Sequence, residues 1–198
     1  WFTKKEDYLT AEEYIWRWDT DWFWCSRFFG VEHPLIRRLL GRSRLRSTTY
    51  WKMRAFFERH GIVKMLEPLR GRSEPVIQDV EIPLAGSEEF LRFFQEQIGI
   101  KPVWVCPTRA YDTTRAYDLY AMDTQQLYVN FGFWDGVKTQ YAEGHYNRLI
   151  EAKVEELKGK KSLYSTSYYS TETFWKLYNK PRYDELKRLF DPKGRLKD

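Results

Sequence analysis

The hydrophobic pattern predicts an α+β domain whose elements run strand, helix, strand, strand, helix, strand, with both helices on one face of an antiparallel sheet. Two observations carry this. Four short segments are apolar at alternate positions or in brief runs, and two stretches between them are apolar at i, i+3 and i+4. The bulk composition agrees: 42% hydrophobic residues and a mean hydropathy of -0.68 describe a chain with a core and a polar surface. No apolar run approaches the roughly 18 residues of a membrane span.

Residues 1–70 are expected to form an aromatic, basic and mainly helical extension. Thr10 and Glu13 have capping-box spacing ahead of Tyr14, Ile15 and Trp16. Pro34 suits the first position of a short helix through Leu40. Ser47 or Thr48 can cap a helix through Trp51, Ala55 and Phe56, with Gly61 as its stop. Residues 67–75, EPLRGRSEP, read as a linker.

The second region, 71–198, supplies the α+β order. Val80, Ile82 and Leu84 alternate with Asp79, Glu81 and Pro83, a strand with one wet face. Ser87 opens a helix with Phe90, Leu91, Phe93, Phe94 and Ile98 on one side. Pro102 to Cys106 reads as a short strand, and Leu127, Val129, Phe131 and Phe133 as a third. Tyr146, Leu149, Ile150, Val154 and Leu157 give a second long helix, and Leu163 to Tyr168 a fourth strand. This is the split βαβ order of a ferredoxin-like sandwich, one sheet face being left free for a ligand or another domain. In the tail, Ser170 or Thr171 caps a helix, Pro181 ends or restarts it, and Asp191-Pro192 with Gly194 stops the next.

The connection from Thr108 to Gln126 is long for this fold and holds TRAYD twice, at Thr108 and Thr114. It reads as a mobile surface loop, or as a lid or partner contact.

The net charge of +5 and pI of about 9.1 permit an anionic partner but do not require one, since 28 acidic residues are interleaved with 33 basic ones. Only Arg37 to Arg54 is one-sided, with seven Arg or Lys and no acid. Cys25 and Cys106 are far apart and fit reduced structural roles, and His33, His60 and His145 have no zinc spacing. Aromatic residues reach 18%, which suggests aromatic-lined cavities or interfaces.

Three constellations can carry chemistry. In Asp7 to Gly30, an extended backbone would set Arg17, Asp19 and Asp21 against a wall of Trp16, Trp18 and Trp22. Such a ribbon can hold a flat apolar ligand, or it can be a salt-bridged surface. Glu143, His145, Asn147 and Arg148 cluster where the second long helix begins. His exchanges a proton near neutral pH, and a helix N-terminus favours anions. Tyr164, Tyr168 and Tyr169 offer hydroxyls that can act as general acids or bond a ligand carbonyl. The chain has no GxGxxG, no phosphate loop of the GxxxxGK type, no GxSxG elbow and no HExxH.

Several segments, in order, resemble one family. They are Arg17 to Trp24 (RWDTDWFW), Trp104 to Pro107 (WVCP), Gly144 to Glu151 (GHYNRLIE), Phe174 to Asn179 (FxxxYN), Tyr183 to Leu186 (YDEL) and Phe190 to Leu196 (FDPKGRL). Together they are similar to the C-terminal region of FAD-linked oxidoreductases of the vanillyl-alcohol-oxidase type, in particular their delta-24-sterol reductase branch. The resemblance implies a cap that covers the flavin of an FAD-binding domain on the same polypeptide, a domain with no signature in this chain. It implies FAD as cofactor, NADPH as a candidate electron donor, and an apolar substrate of sterol or isoprenoid type.

By the same resemblance, Tyr164, Tyr169 and Asn147 would meet the cofactor, and Tyr169 or His145 would donate a proton. Trp16, Arg17, Trp18, Asp19, Asp21 and Trp22 would shape the substrate pocket. The expected setting is cytoplasmic, within reach of a membrane surface, with a homo-oligomer open. The alternative is a non-enzymatic ferredoxin-like module that binds protein or nucleic acid. Asn130-Phe131-Gly132-Phe133 faintly echoes an RNA-binding strand, although no basic residue precedes it.

Overall fold

The computed structural model describes residues 6, 8–12, 33–62 and 71–196. The Trp16 to Trp22 ribbon, Glu13 of the capping box and residues 67–70 of the expected linker lie outside the described residues. Two compact units are present, Trp1–Gly71 and Arg72–Asp198.

In the first unit, α1 spans Pro34–Arg44 and α2 spans Ser47–Arg59. Gly41, at φ 67° and ψ 164°, breaks α1 internally, a conformation glycine reaches without a Cβ penalty. Leu40, Tyr50 and Met53 pack on the buried Leu45 and form a small core.

The second unit holds β1 (Ser73–Pro83), α3 (Ser87–Gln97), β2 (Trp104–Thr108), β3 (Tyr128–Lys138), α4 (His145–Glu156) and β4 (Lys160–Lys161). The sheet order is β2-β3-β1-β4 and every neighbouring pair is antiparallel. This is the expected ferredoxin-like α+β sandwich. Its core face is set by the alternation of β1, where Val76, Gln78, Val80 and Ile82 are fully buried. Phe90 and Phe94 of α3 meet Phe131 and Phe133 of β3 at centroid distances of 5.1 and 4.3 Å. Burying each such ring contributes about 1.5–3 kcal/mol. Ile150 and Val154 of α4 complete the core.

Element boundaries differ from the sequence reading in specific ways. Ser73 to Pro75, expected as linker, begin β1 opposite Lys138 to Gly136. Leu84, expected in that strand, starts a 3-10 turn and is exposed. β2 lies two residues later than predicted. The fourth strand is not Leu163 to Tyr168. It is Lys160–Lys161, paired with Glu81 and Val80, and one further bond runs from Ser162 N to Asp79 O at 2.9 Å. The reason is a buried charge. The fully buried Lys161 Nζ donates to Thr166 O at 2.9 Å and lies 3.6 Å from Glu151 Oε1, which draws the following residues into a turn. Glu151 in turn accepts Tyr168 N through both oxygens.

Two helices follow, α5 (Thr171–Leu177) and α6 (Lys180–Phe190). Ser170 caps the first as expected, accepting from Thr173 N. Pro181 restarts rather than ends the helix, with Asn179 as the cap of α6. Asp191 closes α6 by accepting Arg195 N and Leu196 N at 2.8 and 2.9 Å. Tyr178, between the helices, is buried and donates to Lys161 O at 2.7 Å. Among the described residues, no helix is long and apolar enough to cross a membrane.

Candidate functional site

Side chains that alternate away from the core form the second face of the sheet. Register sets them in rows: Ile77 beside Trp134; Asp79, Gly132 and Trp104; Glu81, Asn130 and Cys106; Pro83, Tyr128 and Thr108. No helix of the βαβ frame lies on this face.

The long connection after β2 covers one end of it. Its 3-10 turn, Asp118–Tyr120, brings the Tyr120 hydroxyl onto Glu81 Oε2 in a short hydrogen bond. Asp123 N donates to Tyr128 Oη at 3.0 Å. The α6 end of the chain holds the outside, where Asn179 Nδ2 donates to Asp118 O at 3.1 Å and Arg182 pairs with Asp118 at 3.5 Å. The connection is therefore tethered, which favours the lid reading over a loose loop. Beneath it lies a cavity of about 270 Å³ lined by Glu81, Thr108, Tyr117, Tyr120, Met122 and Tyr128, among others. Thr108 Oγ1 is buried there without a hydrogen-bond partner.

The other end of the face is open. Ile77, Trp104 and Tyr164 are 41%, 47% and 55% exposed. Trp134 Nε1 donates to Tyr164 Oη at 3.1 Å, which plants the tyrosine over this end. Gly132 makes room here, since a Cβ would fall 2.2 Å from Asp79 Oδ1 and 2.7 Å from Trp134 Cη2.

The surroundings shift both acids of this face upward. Burial raises Glu81 above its ordinary range, partly offset by hydrogen bonds from Tyr120 and from Asn130 Nδ2 at 3.0 Å. Burial likewise raises Asp79, offset by Tyr164. Burial, and then the Asp79 charge, push the Tyr164 hydroxyl up to about 12. Two carboxyls two residues apart along β1 thus each meet a tyrosine hydroxyl, Glu81 that of Tyr120 and Asp79 that of Tyr164. The sequence showed Asp79 and Glu81 only as the wet side of a strand. The missed signal was the facing strand, where small and polar Asn130 and Gly132 leave space around them.

The structure separates the predicted site residues. Tyr164 is on the open face. Asn147 is in the helix layer, 3% exposed, with Nδ2 donating to Glu74 Oε1 at 2.7 Å and Pro75 O at 2.9 Å. Its Oδ1 accepts Gln78 Nε2 at 2.6 Å, so its full set of contacts ties α4 to the core side of β1. His145, in the first turn of α4, stacks on Tyr141 at 4.0 Å. Tyr169 directs its hydroxyl to Glu151 O at 3.4 Å, and burial raises it well above its ordinary value. Phe131 and Phe133 of the RNA-like echo are 1% and 0% exposed on the core face, so they offer no ring to a base. Among the described residues, no group of His, Cys, Asp or Glu could hold a metal ion.

A ferredoxin-like α+β sandwich with one half-covered sheet face is the class that fold and site define. The chain is similar to Delta(24)-sterol reductases: 24% identical to those of Mus musculus and Homo sapiens, over 92% and 91% of this chain and 34% of each relative. It is also 28% identical to the Delta(24)-sterol reductase homolog dhcr-24 of Caenorhabditis elegans, over 61% of this chain and 23% of that protein. The resemblance read from the motifs is borne out. The chain spans about a third of the length of the curated relatives it matches. No family model and no solved structure matches it.

Proposed function

We propose that this chain is the substrate-side cap of an FAD-dependent reductase, its open sheet face laid against the flavin ring and its lid-side cavity turned to an apolar, sterol- or isoprenoid-like substrate. The observation that carries this reading is the open face itself, in a chain similar along almost its whole length to Delta(24)-sterol reductases. Its residues suit a planar heteroaromatic ring. Trp104 and Trp134 supply flat apolar walls and Tyr164 a fixed hydroxyl, while Thr108, a buried hydroxyl still in want of a partner, lines the lid-side cavity.

When bound, FAD supplies hydride chemistry, with NADPH as the proposed source of electrons. The protein's share is to orient substrate, exclude water and hold a proton. Glu81 is placed to hold it, with Tyr120 on one oxygen and Asn130 on the other. Trp16, Trp18 and Trp22 stay the proposed shapers of the substrate pocket, with Arg17 or Asp19 proposed to orient the ligand. Tyr169 and His145 belong to the helix side, so on this reading Tyr164 and Glu81 take the roles near the flavin. The expected setting is the cytoplasm beside a membrane that stores the substrate.

The test is made on the polypeptide that joins this chain to its FAD-binding domain. Visible flavin bands that bleach on reduction are expected. Tyr164→Phe and Glu81→Gln should each slow substrate-dependent reoxidation of the flavin by at least ten-fold without removing the bands. A colourless protein that takes up no FAD would overturn the reading.

A further inference from the structure

The first unit carries a surface that the flavin reading does not use. On α1, Leu35 and Leu39 stand one turn apart, 64% and 80% exposed, with exposed Arg38 beside them and exposed Arg44 further on. On α2, Trp51 and Phe56 are 58% and 54% exposed, and the same outward arc carries Lys52, Ala55 and Arg59. Arg54 lies over the Trp51 ring at 5.5 Å while pairing with Glu58 at 2.8 Å. The apolar residues that do pack, Leu40, Leu45, Tyr50 and Met53, are different ones. The exposed leucines and rings are therefore surplus to the small core.

Large apolar side chains held out among arginines and lysines are costly in water and useful at one kind of boundary. In a headgroup layer, Leu, Trp and Phe sink toward the acyl chains while Arg and Lys meet phosphate and carboxylate. From Arg37 to Arg54 the chain has no acidic residue, and the acid that follows on α2, Glu58, is paired with Arg54. An acidic protein would complement the charge but leave Leu39, 80% exposed, without a reason to stand out.

We infer that α1 and α2 form a membrane-docking surface for bilayers rich in anionic lipid, with Leu35, Leu39, Trp51 and Phe56 inserting and Arg38, Arg44, Lys52 and Arg59 binding headgroups. This rests on the first unit alone. It would bring the protein to the bilayer in which an apolar substrate dissolves, and it stands or falls apart from the flavin.

The test is co-flotation of the 198-residue chain with phosphatidylcholine vesicles with and without phosphatidylserine. Flotation is expected only with phosphatidylserine, and 0.5 M salt should weaken it, the Debye length falling to about 4 Å. Each basic group near an anionic surface contributes on the order of five-fold in partitioning. The triple variant Arg38→Glu, Arg44→Glu, Lys52→Glu should therefore lose roughly a hundred-fold or more. The conservative set Arg38→Lys, Arg44→Lys, Lys52→Arg should keep binding, which separates charge from misfolding. Leu39→Ser with Trp51→Ser should weaken binding at low salt and shift Trp emission less on vesicle addition. Absence of flotation, equal flotation on neutral vesicles, or binding that survives charge reversal would each overturn the inference. So would concentration-dependent self-association lost in Leu39→Ser without any vesicle binding, which would make the surface an interface between copies.

Discussion

Replacing Lys161 by Met tests the interaction on which the C-terminal half of the second unit depends. Lys161 is fully buried, and its ammonium has two neighbours, Thr166 O at 2.9 Å and Glu151 Oε1 at 3.6 Å. Met fills the same volume, so little cavity is created. What remains is Glu151, 2% exposed, with Tyr168 N on both oxygens but without its buried cation. Removing one partner of a buried pair costs about 3–5 kcal/mol, because the other charge is left uncompensated. At about 2–4 °C per kcal/mol for a chain of this size, the melting temperature should fall by roughly 10 °C. The assay is thermal and urea unfolding followed by circular dichroism, with the m-value checked for constancy. The double variant Lys161→Met, Glu151→Gln separates causes. The Gln oxygen still accepts Tyr168 N but carries no charge, so at least half of the loss should return. A single variant within about 2 °C of the parent, or a double variant no better than the single, would refute the reasoning.

Other outcomes follow from the same geometry. The folded state raises Glu81 above its unfolded value, so its contribution is present below the ordinary carboxylate range and lost as pH rises through the raised folded value. Glu81→Gln should accordingly flatten the decline in urea stability from acid to neutral pH, and an unchanged pH profile would count against a buried proton there. Gly132→Ala places a Cβ against Asp79 and Trp134 and should cost about 1–3 kcal/mol, with a shift in Trp emission. Asn147→Ala leaves Glu74 and Gln78 buried with fewer partners and should cost at least about 2 kcal/mol, read by the urea midpoint.

The sequence by itself determined the order of elements. Alternation along β1 and β3 and the helical periods of α3 and α4 depend only on which residues are apolar, and one buried face forces that register. Capping at Ser170 and the restart at Pro181 were equally local, since each rests on backbone geometry within a few residues. The fourth strand was not legible. Leu163 to Tyr168 has good strand propensity, but a buried ion pair between Lys161 and Glu151, a partner ten residues back on α4, turns the chain earlier. The site was half legible. Tyr164 was chosen only through the family resemblance, whereas Asn147 and His145, close together in a suggestive segment, went to the opposite side of the sheet. Asp79 and Glu81 gave no sign beyond polarity. What shifted Glu81 upward was burial beneath a connection returning from β2, with Tyr120 reaching it across 39 residues. Desolvation belongs to the space around a group, and only the tertiary fold decides what fills that space.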